Sequence, residues 1–169
     1  MTRQLEKVYR EHHRFVWRSL VRLGVPDHRV DDAMHDTFLV VARRLEEFEG
    51  RANLRTWLFA IAMRVAQGMR RDAARDRKRK SRVAREQVEA HEPHAQADAA
   101  RTLREILSVL EDDQRAVFIM AELEGMTAPE IAAVMGAKVS TVYSRLRLAR
   151  EKLERALART EARNRRAQR

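Results

Sequence analysis

Apolar residues recur along this chain at steps of three and four, the spacing that lines one side of an α-helix, with polar residues between them. Leu5, Val8, Tyr9, Phe15, Val16, Leu20 and Leu23 mark a first helix, which Gly24 and Pro26 stop. Asp27 or His28 opens a second, carrying Val30, Ala33, Met34, Thr37, Phe38, Val41, Ala42 and Leu45 and closed by Gly50. Asn53 is placed to cap a long third helix containing Leu54, Trp57, Leu58, Ile61, Ala62, Val65 and Met69. Its far end, RRDAARDRKRK, is polar on every side and belongs in solvent or on a partner. From Ser81 to Ala100 the apolar rhythm fades and a proline interrupts it, as in a flexible tether. The rhythm returns in Leu103, Ile106, Leu107 and Leu110, and again from Asp112 or Asp113 through Ala116, Val117, Ile119, Met120 and Leu123 to Gly125.

The segment TAPEIAAVMGAKVSTVYSRLRLAR, Thr127 to Arg150, predicts two helices joined by a tight turn. Thr127 and Glu130 have the spacing of a capping box, Pro129 sits in the first turn, and Gly136 supplies the reversal. Val142, Leu146, Ala149 and Leu153 give the second of these helices an inner face. Ala132 stands where the helices cross closely and Gly136 where the chain turns, the layout of a helix-turn-helix. The outer row of Tyr143, Ser144, Arg147 and Arg150 suits DNA better than a core.

Composition narrows the picture. With 169 residues, 5 Gly and 3 Pro, an all-helical chain of one domain or two small ones is expected. A net charge of +10, concentrated in Arg64 to Arg85 and after Arg145, points to a polyanion partner through counterion release. There are no cysteines, which excludes disulfides and thiolate metal sites. No apolar run approaches the roughly 20 residues needed to span a bilayer, and the start, MTRQLEKVYREHH, lacks the apolar core of a signal peptide. A soluble, cytoplasmic protein without membrane insertion is expected. His91-Glu-Pro-His94 falls short of a zinc-protease helix because Ala95 takes the last ligand position. Phosphate loops and a nucleophile elbow are also missing, so the reading is of a non-enzyme with no cofactor and no metal.

Two features of the first half ask for more than packing. Asp32, His35 and Asp36 share one helix face, turned away from Ala33, Thr37 and Val41. FEGRANLRTWLF sets Gly50, Arg51 and Asn53 in a loop beside Trp57, a combination that can hold an unstacked base.

Taken in order, these blocks resemble the bacterial RNA polymerase sigma factors of the extracytoplasmic-function (ECF) type. The pattern D-x-x-Q-E-T-F is matched at Asp32, Thr37 and Phe38, with His35 and Asp36 at its Gln and Glu. F-x-G-x-x-x-L-x-x-W-L is matched at Phe48, Gly50, Leu54, Trp57 and Leu58. The later pattern is met by Leu110, Arg115, Val117, Glu122, Gly125, Glu130, Ile131 and Ala132, and its close by Thr141, Val142, Ser144, Arg145, Leu146, Ala149, Arg150 and Leu153. The resemblance implies a region 2-like helical domain over 1–80, a linker over 81–100 and a region 4-like helix-turn-helix domain over 101–160. A basic tail over 161–169 completes the chain and is expected to fray from Thr160.

The same resemblance implies partners and sites. Asp32, His35 and Asp36 would face a coiled coil on the largest subunit of core RNA polymerase. Gly50, Arg51, Asn53, Arg55, Trp57, Arg64, Arg70 and Arg71 would melt and hold the −10 promoter element. Ser140, Thr141, Tyr143, Ser144, Arg145, Arg147 and Arg150 would read −35 DNA, while this second lobe docks on the flap of the other large subunit. An anti-sigma factor is a further partner by resemblance alone. The chain departs from the family at His35 for Gln, at Ala60 for Arg and Arg64 for Asn where −10 bases are read, and in the turn Ala137 to Ser140. Two small lobes on a tether gain affinity once polymerase fixes their separation, so the free chain is expected to bind DNA weakly. A dimeric helix-turn-helix repressor is the main rival; it explains Thr127 to Arg150 and leaves the first half unused.

Overall fold

A computed structural model describes residues 3–50, 53–80 and 103–167. Its helices are α1 (Arg3–Arg22), α2 (Val30–Arg44), α3 (Leu54–Lys80), α4 (Asp112–Phe118), α5 (Ala128–Met135) and α6 (Val139–Ala167), and a short helical segment over 103–107 precedes α4. No strand occurs among the described residues, as the spacing of apolar positions predicts.

In the first lobe α1, α2 and α3 pack on one another through Phe15, Val16, Leu20, Ala33, Val41, Leu58, Phe59 and Ala62, all buried. Two polar residues go inside with them, each satisfied within its own helix: Ser19 Oγ donates to the Phe15 carbonyl at 2.9 Å and Thr37 Oγ1 to that of Ala33 at 2.6 Å. Gly24 ends α1 in the left-handed conformation, φ +88°. There the Val25 N–H donates back to the Leu20 carbonyl and the Gly24 N–H to that of Val21, both at 3.1 Å. Val25 and Leu20, both fully buried, occupy the two positions whose apolar side chains accompany a Schellman motif. A 3-10 turn over Asp27–Arg29 leads into α2, and another over Leu45–Glu47 leaves it, so Leu45 lies just beyond the helix proper. Asn53 does cap α3: its Oδ1 accepts the Arg55 N–H at 2.9 Å.

The second lobe is built from α4, α5 and α6. The helix begun at α4 widens into a π-helical turn, Ile119–Leu123, that apolar spacing does not reveal. It ends at Gly125, where φ is +64°. The predicted capping box is present at Thr127, whose N–H and hydroxyl both donate to Glu130 Oε2, at 2.7 and 2.8 Å. Gly136 reverses the chain with φ +59°. Ile131, Ala132, Val142, Leu146, Ala149 and Leu153 close the core.

The capping box has a pH signature. Hydrogen bonds from the Thr127 backbone and then its side chain hold the Glu130 carboxyl below its ordinary value of 4.5. A depressed carboxyl stabilises the fold above the unfolded value and loses that contribution as pH falls through the folded one. A carbon-detected NMR titration is expected to place the Glu130 midpoint under 4.5, and Thr127→Val to raise it part of the way. A midpoint at or above the ordinary value would remove the box from the stability of α5.

One expectation changes. The tail does not fray at Thr160, because α6 runs on to Ala167. Alanine, arginine and glutamate favour helix, and Arg165 reaches Glu161 one turn back at 3.5 Å. The two lobes touch: α3 packs against α5, and the buried side chains of both lobes form one cluster.

Candidate nucleic-acid and polymerase interface

On α2, Asp32, His35 and Asp36 are exposed together while the neighbouring Ala33 and Thr37 are buried. Leu39, 41% exposed, extends the stripe by one turn. The face the sequence anticipates is therefore a solvent-facing acidic ridge with an apolar end, suited to a basic protein surface.

The residues expected to hold −10 DNA do not form one surface. At about 100° per residue, Trp57, Arg64 and Arg71 fall on one side of α3 and Arg55 and Arg70 on nearly the opposite side. Arg64 and Arg71 are exposed; Trp57 is half-buried, its ring 5.1 Å from that of Phe48. Gly50 precedes them with φ +71° and open space where a Cβ would lie. Arg51 lies outside the described residues, as does the linker 81–100. Arg55 turns instead toward the second lobe. Its guanidinium stacks 4.5 Å over the Phe15 ring and donates to Glu124 Oε2 at 2.9 Å. Arg70 also reaches across, pairing with Asp112 Oδ1 at 2.6 Å and donating to the Leu23 carbonyl at 3.2 Å.

On α6, Tyr143, Ser144, Arg147 and Arg150 form the exposed row that the spacing predicts, and Ser140 is exposed with them. Tyr143 is 61% exposed, an uncommon position for a large aromatic without a partner. Ser144 Oγ turns back to the Ser140 carbonyl at 3.0 Å. Arg147 pairs along the helix with Glu151 at 2.5 Å, and Arg150 with Glu122 at 2.5 Å. Thr141 and Arg145 are half-buried at the flank, Arg145 pairing with Asp113 at 2.5 Å.

Sequence reasoning treats Arg115 only as a matched position and misses its role. It is buried, and it spends its guanidinium on carbonyls. Nε donates to Leu107 O and Nη2 to Leu110 O, both at 2.9 Å, Nη2 also to Ser108 O at 3.4 Å, and Nη1 to Leu23 O at 3.3 Å across the lobe boundary. Burial, and next the nearby Arg70, push its pKa down to about 10, so it stays charged near neutral pH. An arginine inside an apolar helix pattern is the one local signal of such a role.

Comparison with known proteins fits this layout. Residues 8–76 match the family model for sigma-70 region 2, and residues 100–153 that for sigma-70 region 4. The ECF RNA polymerase sigma factor SigC of Mycobacterium tuberculosis is 33% identical over 155 residues, covering 89% of this chain and 82% of the relative. The chain belongs to the ECF family of RNA polymerase sigma factors. The ECF sigma-E factor of Escherichia coli, 34% identical over 149 residues, covers 80% of this sigma factor and 78% of its own length. Among solved structures, the sigma factor RpoE of Bartonella quintana, crystallised with the anti-sigma factor NepR, superposes with a TM-score of 0.76 at 22% identity, covering 93% and 98% of the two chains. CnrH, solved with the cytosolic domain of CnrY, gives 0.70 at 25% identity over 94% and 90%. No described helix of the sigma factor is long and apolar enough to cross a membrane.

Proposed function

We propose that this chain binds core RNA polymerase through the Asp32, His35 and Asp36 ridge, reads −35 DNA with the outer row of α6, and holds the opened −10 strand with the loop before α3, the half-buried Trp57 and the exposed Arg64 and Arg71. The single observation that carries this reading is the α6 row. Five polar or aromatic side chains, one of them Tyr143, share one face of a helix whose other face is the core of a helix-turn-helix. Phosphate contacts supply the salt-dependent affinity, and base-edge contacts contribute roughly 1–3 kcal/mol of discrimination each. Strand opening needs no nucleotide hydrolysis, because stacking and backbone contacts favour the unpaired bases. An anti-sigma partner is part of the proposal, supported by the solved complex of RpoE with the anti-sigma factor NepR.

Run-off transcription with core polymerase on a genomic library tests it, with initiation at a shared pair of upstream elements as the expected result. Arg147→Ala is expected to lower output about tenfold on templates that depend on the −35 element, the loss of one base-edge contact. Equal output on all templates would remove Arg147 from reading. Tight, site-specific binding by the isolated chain would favour a repressor instead.

A further inference from the structure

The outer face of α1 carries a row of cations around one tryptophan. At about 100° per residue, Arg3, Lys7, Arg10, Arg14, Trp17 and Arg18 fall within an arc of about 100°, away from the buried Val8, Val16 and Ser19. All six are exposed, Trp17 by 40%. The row runs roughly 22 Å along the helix at about 1.5 Å per residue. Glu6 and Glu11 stand only at its edges. Glu6 holds Arg10 at 3.0 Å, in a pair open to water on both sides. Arg3, Lys7, Arg14 and Arg18 have no ion pair among the described residues, whereas Arg22, Arg55, Arg70 and Arg145 each sit on a carboxylate. Trp17 makes no ring contact among those residues either.

We infer that this face is a binding site for an unpaired nucleic-acid strand, whose phosphates lie along Lys7, Arg10, Arg14 and Arg18 with a base stacked on Trp17. Arg10, Arg14 and Arg18 follow one another four positions apart, so each repels the next and weakens the helix that carries them. A polyanion removes that repulsion and, by releasing counterions, gains affinity along the whole row. Each arginine fork can take two phosphate oxygens at once, and the exposed Glu6 is a weak competitor for Arg10. The indole decides for nucleic acid over an acidic peptide, because every base has a face to stack on it and carboxylate side chains have none. At about 3.4 Å per nucleotide the row accommodates roughly six. This face belongs to neither α3 nor α6, and its charge is opposite to that of the acidic ridge on α2. It is therefore a contact beyond those proposed for the promoter elements and for polymerase.

Fluorescence anisotropy of labelled dT20 with the full chain, without polymerase and at rising salt, tests the inference. R14Q/R18Q is expected to weaken binding about tenfold at low salt and to flatten the slope of log affinity against log salt by about 1.4, the loss of two single-strand phosphate contacts. W17A is expected to weaken binding about tenfold, the loss of one stacked base, and W17F to keep most of the affinity. R43Q/R159Q removes the same charge from exposed sites on α2 and α6 and is expected to change binding less than twofold. In W57F, Trp17 is the sole indole, and its emission is expected to be quenched as dT20 saturates the chain. Circular dichroism of the α1 variants should match wild type, since each altered position is exposed. rU20 in parallel separates the two sources of such a strand: tighter binding of dT20 assigns the site to opened DNA, and of rU20 to the transcript. Unquenched Trp17 emission, or R14Q/R18Q binding no more weakly than R43Q/R159Q, overturns the inference. Polyglutamate bound as tightly as dT20 overturns it too and gives the face to an acidic protein. Because the probe has no promoter sequence and no polymerase is present, failure here is distinct from failure to initiate transcription.

Discussion

Replacing Arg115 with alanine is expected to destabilise the second lobe by about 4 kcal/mol, measured by chemical denaturation of the full chain. Hydrogen bonds from a charged donor contribute about 1.5–3 kcal/mol each. This guanidinium makes four, to Leu107, Ser108, Leu110 and Leu23, partly offset by the cost of burying its charge. Without it the buried Leu110 carbonyl loses the Arg115 donor and the Leu107 carbonyl keeps only the Leu110 N–H at 3.1 Å, a penalty that a cavity alone would not produce. Arg115→Met keeps most of the volume and is expected to lose nearly as much. Arg115→Lys keeps the charge but not the fork and should recover only a minor part. A loss under about 1 kcal/mol in all three would mean the guanidinium merely fills space. Gly24→Ala offers an independent check: a Cβ there would lie 2.6 Å from Arg115 Nη1, at a φ of +88° that alanine resists. The pinned guanidinium has little room to retreat.

The second large effect concerns polymerase. Charge reversal of both Asp32 and Asp36 to lysine is expected to weaken association with core polymerase about a hundredfold, or roughly 2.8 kcal/mol. Reversal both removes attraction and sets like charges against each other across the interface, and such juxtaposition costs several kcal/mol. Both side chains are exposed on α2, while the core-facing Ala33, Thr37 and Val41 are untouched, so the melting temperature should move little. Fluorescence anisotropy against core enzyme, repeated at rising salt, reads the effect. Wild-type affinity should fall with salt and the variant's much less. An association constant unchanged by the reversal would reject this face as the docking surface.

Much of this was legible in the sequence because its causes are local. Thr127 and Glu130 are three positions apart, Gly136 and Gly24 sit where a left-handed residue must end a helix, and the spacing of Asp32, His35 and Asp36 fixes a common face. The division of the −10 arginines was also legible in principle, since a helical wheel sets Arg55 opposite Trp57; motif matching alone hides it. What no local rule could show is the closed arrangement of the lobes. Arg55 and Glu124 are 69 positions apart, and Arg22 and Glu124 102, so only tertiary packing decides those pairings. The π-helical turn over Ile119–Leu123 escapes for another reason, because one extra residue per turn barely disturbs an apolar rhythm. The persistence of α6 past Thr160 depends on helix propensity and a side-chain pair rather than on a buried face, which periodicity cannot register.

The 29 residues of α6 form an unbroken rod of roughly 43 Å. Only its first half is embraced by the helix-turn-helix; the rest stands out like the handle of a tool. Whatever tilt the proposed DNA-reading end takes on a partner is copied, without slack, to the tip. A probe attached near that tip would therefore behave as a pointer, magnifying small changes in docking angle into displacements large enough to follow in real time.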